Sequence, residues 1–359
     1  MIKANHLKKG DKIAIVSLSS GTLGEAFCRH NVEIGTKRLE ELGLEPIFMP
    51  HALKGMDYVA KHPEKRAADL KAAFLDPAIK GIVCGIGGDD TFRTLPYLLE
   101  DQAFITSVKQ QPKLFSGYSD TTINHLMFYR LGLTTFYGPA FLTDLADIGL
   151  EMLPYTKESF LRYLGEGTQE KVVASSLWYE ERQDFSAAAI GQARIAHQEL
   201  SGHVWLQAGK TVTGPLLGGC LESLYDMLIG ERYPEEIAIC ESYQLFPSPH
   251  EWAGKVVFLE TSEEKPTPER FRQMLLTLKA HHVFEKATAL LIGKPQDEIY
   301  AKEYQQIAVE VIGNPDLPIL YNLNFGHAYP RMVLPYGVEV TISEDGRELI
   351  FNEEWFIKA

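Results

Sequence analysis

The sequence predicts an α/β protein of two domains: a parallel sheet covered by helices, followed by a second α/β unit that is less regularly wound. Three observations carry this. The 359 residues suit two domains at about 100–200 residues each. Over the first 137 residues, short apolar runs alternate with segments of helical spacing, the pattern of parallel strands joined by crossover helices. Beyond residue 200 the alternation returns in looser form.

Residues 12–17 are largely apolar and run into Leu18-Ser19-Ser20-Gly21, which reads as a buried strand followed by a tight turn. Val32, Leu39 and Leu42 then share one helical face, and Gly43 ends that helix before a strand near 44–49. The pattern repeats: helix 64–75, strand 81–84, helix 91–99, strand 113–115, helix 121–131, strand 134–137. A helix is expected at 152–164, and then the pattern loosens around Trp178, Tyr179 and the charged residues 180–184. The domains are therefore set at 1–165 and 201–359, with a junction at 166–200. In the second, strands at 255–259, 288–292 and 337–342 mix with helices at 219–229, 267–280 and 299–312.

Composition excludes several functions. Hydrophobic residues at 45% and charged residues at 23% are the globular mix and rule out collagen-like, coiled-coil or long disordered chains. The 48 acidic and 35 basic residues leave a charge of −13, which repels phosphate backbones and anionic lipid, so neither nucleic acid nor a membrane is an expected partner. Positive charge at the start is not followed by an apolar stretch, and no run of eighteen apolar residues occurs, so a cytoplasmic protein is expected. Cys28, Cys84, Cys220 and Cys240 are too scattered for a disulfide framework or a metal knuckle. Gly209-Lys210-Thr211 lacks the first glycine of a phosphate loop, and His281-His282 point in different directions, so no cofactor and no metal are expected.

Four segments could carry chemistry. In Phe115-Ser116-Gly117-Tyr118-Ser119-Asp120 a strand turns sharply into a helix, a geometry that exposes the Ser119 hydroxyl beside free helix-start amides. The second glycine of the usual nucleophile elbow is replaced by Thr121, and a plain helix-capping serine is the competing reading. Gly85-Ile86-Gly87-Gly88-Asp89-Asp90 also follows a strand. Its glycines allow close approach to a ligand, and an amide there can serve an oxyanion, although a simple turn explains them equally well. Glu260 ends an apolar strand, where a charge needs a partner such as histidine, unless it is exposed or caps the helix after Pro266. His327 lies in the loop Asn324-Phe325-Gly326-His327, either as a base or as an ordinary loop histidine. Ser119, Glu260 and His327 together supply nucleophile, orienting carboxylate and base.

These residues sit in a wider set: residues 9–16, Gly87-Gly88 with Arg93 and Leu95-Pro96, Gly117 to Asp120, Tyr137-Gly138-Pro139, Gly214 with Gly218-Gly219, Leu259-Glu260, and Gly326-His327 with Pro330. Across nearly its whole length the chain resembles the LD-carboxypeptidase and microcin C self-immunity family of serine peptidases. The resemblance implies Ser119 as nucleophile, Glu260 and His327 as the rest of a triad, and the backbone amides of Asp120 and Gly88 as oxyanion hole. It implies an N-terminal domain like the class I glutamine amidotransferase sheet, a smaller β-rich, barrel-like C-terminal domain, a homodimer, and no cofactor. One branch cleaves murein tetrapeptides and the other cleaves peptidyl or aminoacyl groups from nucleotide-like moieties. The runs 87–91, 260–264 and 352–355 lean toward the second, which makes a small peptide or aminoacyl-nucleotide the expected substrate. Gly87, Trp178 and Trp205 are then substrate-binding candidates, because an indole can stack on a nucleobase, although either tryptophan can equally serve packing. Cys220 stands where the family usually has asparagine, a departure that leaves room for a non-catalytic small-molecule binder as the rival.

Overall fold

The computed structural model describes residues 1–165 and 171–357. In its first sheet Lys12–Val16, Glu45–Phe48, Ile79–Cys84, Leu114–Gly117 and Phe136–Tyr137 run parallel, with Ile79–Cys84 between Lys12–Val16 and Leu114–Gly117. The apolar runs are continuous because both faces are covered. Ile13, Ile15, Val16, Ile82, Val83, Leu114 and Phe115 are fully buried. The helices Arg29–Glu41, Pro63–Leu75 and Thr121–Leu131 stand where helical spacing placed them, the last ending at Gly132 in the left-handed region. The helix expected at 91–99 splits into a 3-10 turn, Thr91–Thr94, and Leu95–Leu99, with Pro96 in its first turn. The next expected helix likewise shortens to Pro154–Leu161 followed by the 3-10 turn Arg162–Leu164.

The second sheet is mixed and curled. Val212–Cys220, Val256–Glu260, Ala289–Gly293 and Ile319–Leu323 form its parallel centre. Antiparallel Glu339–Ile342, Leu349–Phe351 and Lys171–Val172 extend one side, and Val204–Gln207 closes the other. Helices Leu221–Ile229, Pro268–Ala280 and Ala301–Ile312 connect the parallel strands. The strand Val212–Cys220 is not foreseen, because Gly214, Pro215, Gly218 and Gly219 read as turn signals and conceal it.

The two sheets are stitched together. Leu334–Pro335 leaves the C-terminal half and pairs antiparallel with Phe136–Tyr137 of the first sheet. Just beyond it, the Tyr336 hydroxyl donates to the Gly218 carbonyl at 2.7 Å. In the expected junction, residues 166–170 lie outside the described residues. Leu177–Tyr179 and Ala196–Gln198 form a small ribbon, and Arg194 and Arg182 pin this region to buried Asp147 at 2.7 and 3.0 Å. Among the described residues no helix is long and apolar enough to cross a membrane.

Candidate active site

Parallel strands deliver their loops at their carboxyl ends, which is where open α/β sheets build clefts. From the first sheet, Leu114–Gly117 leads to Ser119, whose φ of 65° is uncommon for a residue with a side chain. The surroundings hold it there. The Ser119 N–H donates to the Tyr137 hydroxyl at 3.1 Å, and its carbonyl accepts from the N–H and hydroxyl of Thr122 at 2.9 and 2.7 Å. The helix cap is Asp120 and no side chain caps it, so the capping role considered for Ser119 is not what the residue does. A β-carbon at Gly87 would lie 2.7 Å from the Ser119 β-carbon and 3.0 Å from its Oγ, so any side chain there would displace the hydroxyl.

The Ser119 amide is spent on Tyr137, whereas the amides of Gly88 and Asp120 make no hydrogen bond among the described residues. Both residues line the same cleft as Ser119. The Asp120 side chain turns away to accept from the Ser19 hydroxyl at 2.6 Å and the Thr91 N–H at 2.9 Å, tying three loops together. Burial outweighs these hydrogen bonds and pushes its carboxyl up to about 6.

From the second sheet, Val256–Glu260 ends on a glutamate only 1% exposed. Its carboxylate accepts from His327 Nδ1 at 2.8 Å, from the His327 N–H at 3.1 Å and from the Tyr137 hydroxyl at 2.5 Å. Three donors explain how a charge survives at the end of an apolar strand. The following helix is capped by Thr267, not by Glu260. Gly326, at φ 80°, passes so close that a β-carbon would fall 2.3 Å from the Glu260 carboxylate.

His327 is buried edge-on to Tyr118, with ring centroids 5.0 Å apart. Its carbonyl accepts from Arg331 at 3.2 Å, and Arg331 is itself paired with buried Asp144 at 2.7 Å. The imidazole Nε2 lies 2.8 Å from the carboxylate of Glu263, and among the described residues the Ser119 hydroxyl makes no hydrogen bond. Burial draws the imidazole down, but the Glu260 charge and the hydrogen bonds to Glu260 and Glu263 outweigh it and lift His327 to about 10. The same bond from His327 lowers Glu263 to about 2, although its side chain is 64% exposed. Sequence reasoning thus brings Ser119, Glu260 and His327 to one place, with the Glu260–His327 contact made and the Ser119–His327 contact open.

The tryptophans stand apart from that cleft. The Trp205 indole donates to the Glu344 carbonyl at 3.0 Å on the hairpin between Glu339–Ile342 and Leu349–Phe351. Trp178 stacks on His197 at 4.1 Å, and its neighbour Tyr179 donates from its N–H to the Tyr329 carbonyl, two residues past His327. Cys220 is buried, its thiol 3.4 Å from Glu222. Burial and that carboxylate push the thiol well above its ordinary range. His281 and His282 are exposed and bond only within their own turn region.

Sequence reasoning missed Tyr137, Glu263 and Arg331 as members of the site. Tyr137 was visible as part of a strand-ending Tyr-Gly-Pro and Glu263 as part of an acidic run, but nothing local tells that one hydroxyl spans two sheets.

Comparison with known proteins places these features in context. Residues 13–138 match the LD-carboxypeptidase N-terminal domain and residues 213–342 the LD-carboxypeptidase C-terminal domain. The microcin C7 self-immunity protein MccF of Escherichia coli is 27% identical over 98% of this chain and 96% of its own. A probable murein peptide carboxypeptidase of Bacillus subtilis is 27% identical over 95% of this chain and 91% of its own. The crystal structure of an MccF-like protein from Streptococcus pneumoniae in complex with AMP superposes with a TM-score of 0.92 at 47% identity, covering 96% of this chain and 99% of that one.

Proposed function

The chain belongs to the LD-carboxypeptidase family of serine peptidases, and we propose that Ser119, His327 and Glu260 are its nucleophile, general base and orienting carboxylate. The observation that carries this is the buried Glu260–His327 pair, joined through the Tyr137 hydroxyl to the amide of a strained Ser119. Glu260 on Nδ1 fixes the tautomer that leaves Nε2 to accept a proton. Ser119 attacks the substrate carbonyl as His327 takes its proton. The oxyanion settles on the amides of Gly88 and Asp120, and His327 returns the proton to the leaving nitrogen. Water then repeats the sequence on the acyl-enzyme.

One step precedes the chemistry. With Glu263 on Nε2 the imidazole is held protonated, and an imidazolium cannot act as a base. Glu263 must let go, which its exposure allows, so that Nε2 can turn to Ser119.

The substrate in this reading is an aminoacyl or peptidyl group joined by an amide to a nucleotide-like moiety. It is supported by the 47% identity to a protein crystallised with AMP. For Trp178 to carry a nucleobase, His197 has to give up the indole face it covers. In this reading residues 1–165 carry Ser119 and residues 201–359 carry Glu260 and His327.

A serine-directed phosphonate probe tests the nucleophile. A single adduct at Ser119, absent in Ser119→Ala, supports the reading; no adduct together with no amide turnover overturns it. Comparing an aminoacyl sulfamoyl adenosine with a murein tetrapeptide tests the substrate, and turnover of the tetrapeptide alone would move the enzyme to cell-wall peptides.

A further inference from the structure

We infer that Ser19 is a positioning residue for the oxyanion hole: its hydroxyl, together with the amide of Ser20, fixes how the Gly88 and Asp120 amides are presented beside Ser119. The inference rests on the serine-hydrolase reading and adds to it a side chain that touches no substrate.

The two amides come from separate loops. Gly88 follows Ile79–Cys84, and Asp120 follows Leu114–Gly117. Gly87 and Gly88 both lack a β-carbon, and Gly88 stands at φ 148°, so the peptide between them can rotate at little steric cost. A peptide unit is planar and trans, which puts its carbonyl and its N–H on opposite sides. Turned one way, the Gly87–Gly88 peptide offers the cleft a donor; turned the other way, it offers a carbonyl, which repels an oxyanion. One bond selects between them. The Ser20 N–H donates to the Gly87 carbonyl at 3.0 Å, so the Gly88 N–H points away from the Ser20 loop.

Ser19 holds the loop that makes this bond. It follows Lys12–Val16, is 6% exposed and stands outside the described residues that line the cleft. Its hydroxyl donates to the Asp120 carboxylate at 2.6 Å and accepts from the Asp90 N–H at 3.2 Å, so one oxygen touches both loops that supply an amide. The Thr91 N–H on the same carboxylate is a second link between those loops. The fit is close: a β-carbon at Gly88 would fall 2.3 Å from the Ser19 hydroxyl oxygen and 2.8 Å from the Ser20 nitrogen. From behind, buried Arg66 donates to the Leu18 and Ser19 carbonyls at 3.1 and 3.3 Å and to the Asp90 carboxylate at 2.5 and 3.2 Å, which keeps the loop from backing away. An oxyanion hole works through donors fixed before the reaction, and a misplacement of about 1 Å can cost on the order of a hundredfold in rate. Without the Ser19 hydroxyl the Asp120 carboxylate loses a donor and the Gly87–Gly88 peptide is freer to turn. Binding of the unreacted substrate, which carries no oxyanion, is left as it was.

The test uses the full chain, the two substrates named above and the serine-directed phosphonate. In Ser19→Ala we expect kcat and the rate of adduct formation at Ser119 to fall together by about 10–100-fold, with KM held within about threefold, the mark of an interaction made only in the transition state. Ser17→Ala is the comparison. It deletes a buried hydroxyl just past the same strand, one that donates to the Ala52 carbonyl at 2.9 Å, and should lower the melting temperature while leaving kcat near that of the parent. If Ser19→Ala fails to fold, Asp120→Ala removes the acceptor of the same bond and decides by the same split of kcat from KM; failure of both to fold assigns the bond to stability and overturns the positioning role. An unchanged kcat in Ser19→Ala, a rise in KM alone, or an equal fall of kcat in Ser17→Ala also overturns it and leaves the hydrolase reading standing. Where the parent forms the adduct but turns over neither substrate, the adduct rates decide. A parent with neither adduct nor turnover overturns both.

Discussion

Ser119 and His327 reach the cleft from opposite sheets and are held there by different forces. On the N-terminal side the restraint is shape: a left-handed backbone at Ser119, Gly87 packed against its side chain, and neutral hydrogen bonds accepted from Thr122 and donated to Tyr137. On the C-terminal side it is charge: Glu260 and Glu263 grip the two nitrogens of one imidazole, and the Arg331–Asp144 pair steadies the loop behind it. The difference teaches where each half is vulnerable. The Ser119 side should respond to added volume and ignore pH, whereas the His327 side should respond to protonation.

The comparison breaks most visibly at Ser119. Ser119→Ala should leave the fold intact and reduce turnover by about 10⁴–10⁶, as losses of single triad members do elsewhere. Steady-state kinetics beside a circular-dichroism melt would check it, and a loss below tenfold would remove Ser119 from the chemistry. Next comes Gly326→Ala, which imports a shape defect into the charged half. Its β-carbon must expel the Glu260 carboxylate, so we expect kcat/KM to fall at least about a hundredfold, with a lower melting temperature.

Tyr137→Phe cuts the single hydroxyl that joins the halves. It strips a donor from Glu260 and an acceptor from the Ser119 amide, which should cost about 1–3 kcal/mol in stability and lower kcat more than it raises KM. Urea denaturation and a kcat-against-KM comparison would measure both. A variant as stable and active as the parent would show that the bridge is idle.

The smallest and most diagnostic change is Glu263→Gln. In the proposed mechanism activity needs neutral His327, and Glu263 helps hold that imidazole near 10, so the acid limb of the pH–rate profile should move to lower pH and activity near pH 7 should rise several-fold, the exposure of Glu263 keeping the effect modest. The stability term has the same origin. A folded value above the ordinary imidazole value of about 6.5 means that the pairing stabilises fully below that pH and is lost as pH rises through about 10. The urea midpoint should therefore fall between pH 6.5 and 10 more steeply in the parent than in the variant, and an unmoved acid limb would mean that Glu263 does not restrain the base.

Much of this was legible before any coordinates. Helix Thr121–Leu131 was read to the residue because an apolar strand, a turn and Gly132 bracket it. The triad candidates stood out because each ends an apolar run or sits in a glycine-punctuated loop, where a reactive side chain has few other reasons to be. The strand Val212–Cys220 was illegible for the opposite reason: its glycines imitate a loop, and only pairing on both sides makes it a strand. Trp178 and Trp205 show what the chain order does not display. Both are aromatic residues of the right type for a base-stacking role, yet their rings are engaged by His197 and by the 343–348 hairpin.

The sequence by itself determined the alternating α/β pattern, the acidic surface and the identity of three candidate reacting groups, since these follow from local periodicity and from the chemistry of single side chains. Tertiary structure alone decided that Tyr137 spans two sheets and that Glu263 lies against Nε2 of His327. Those are relations between residues far apart along the chain, and their energies depend on distance and burial, which no linear order of amino acids displays.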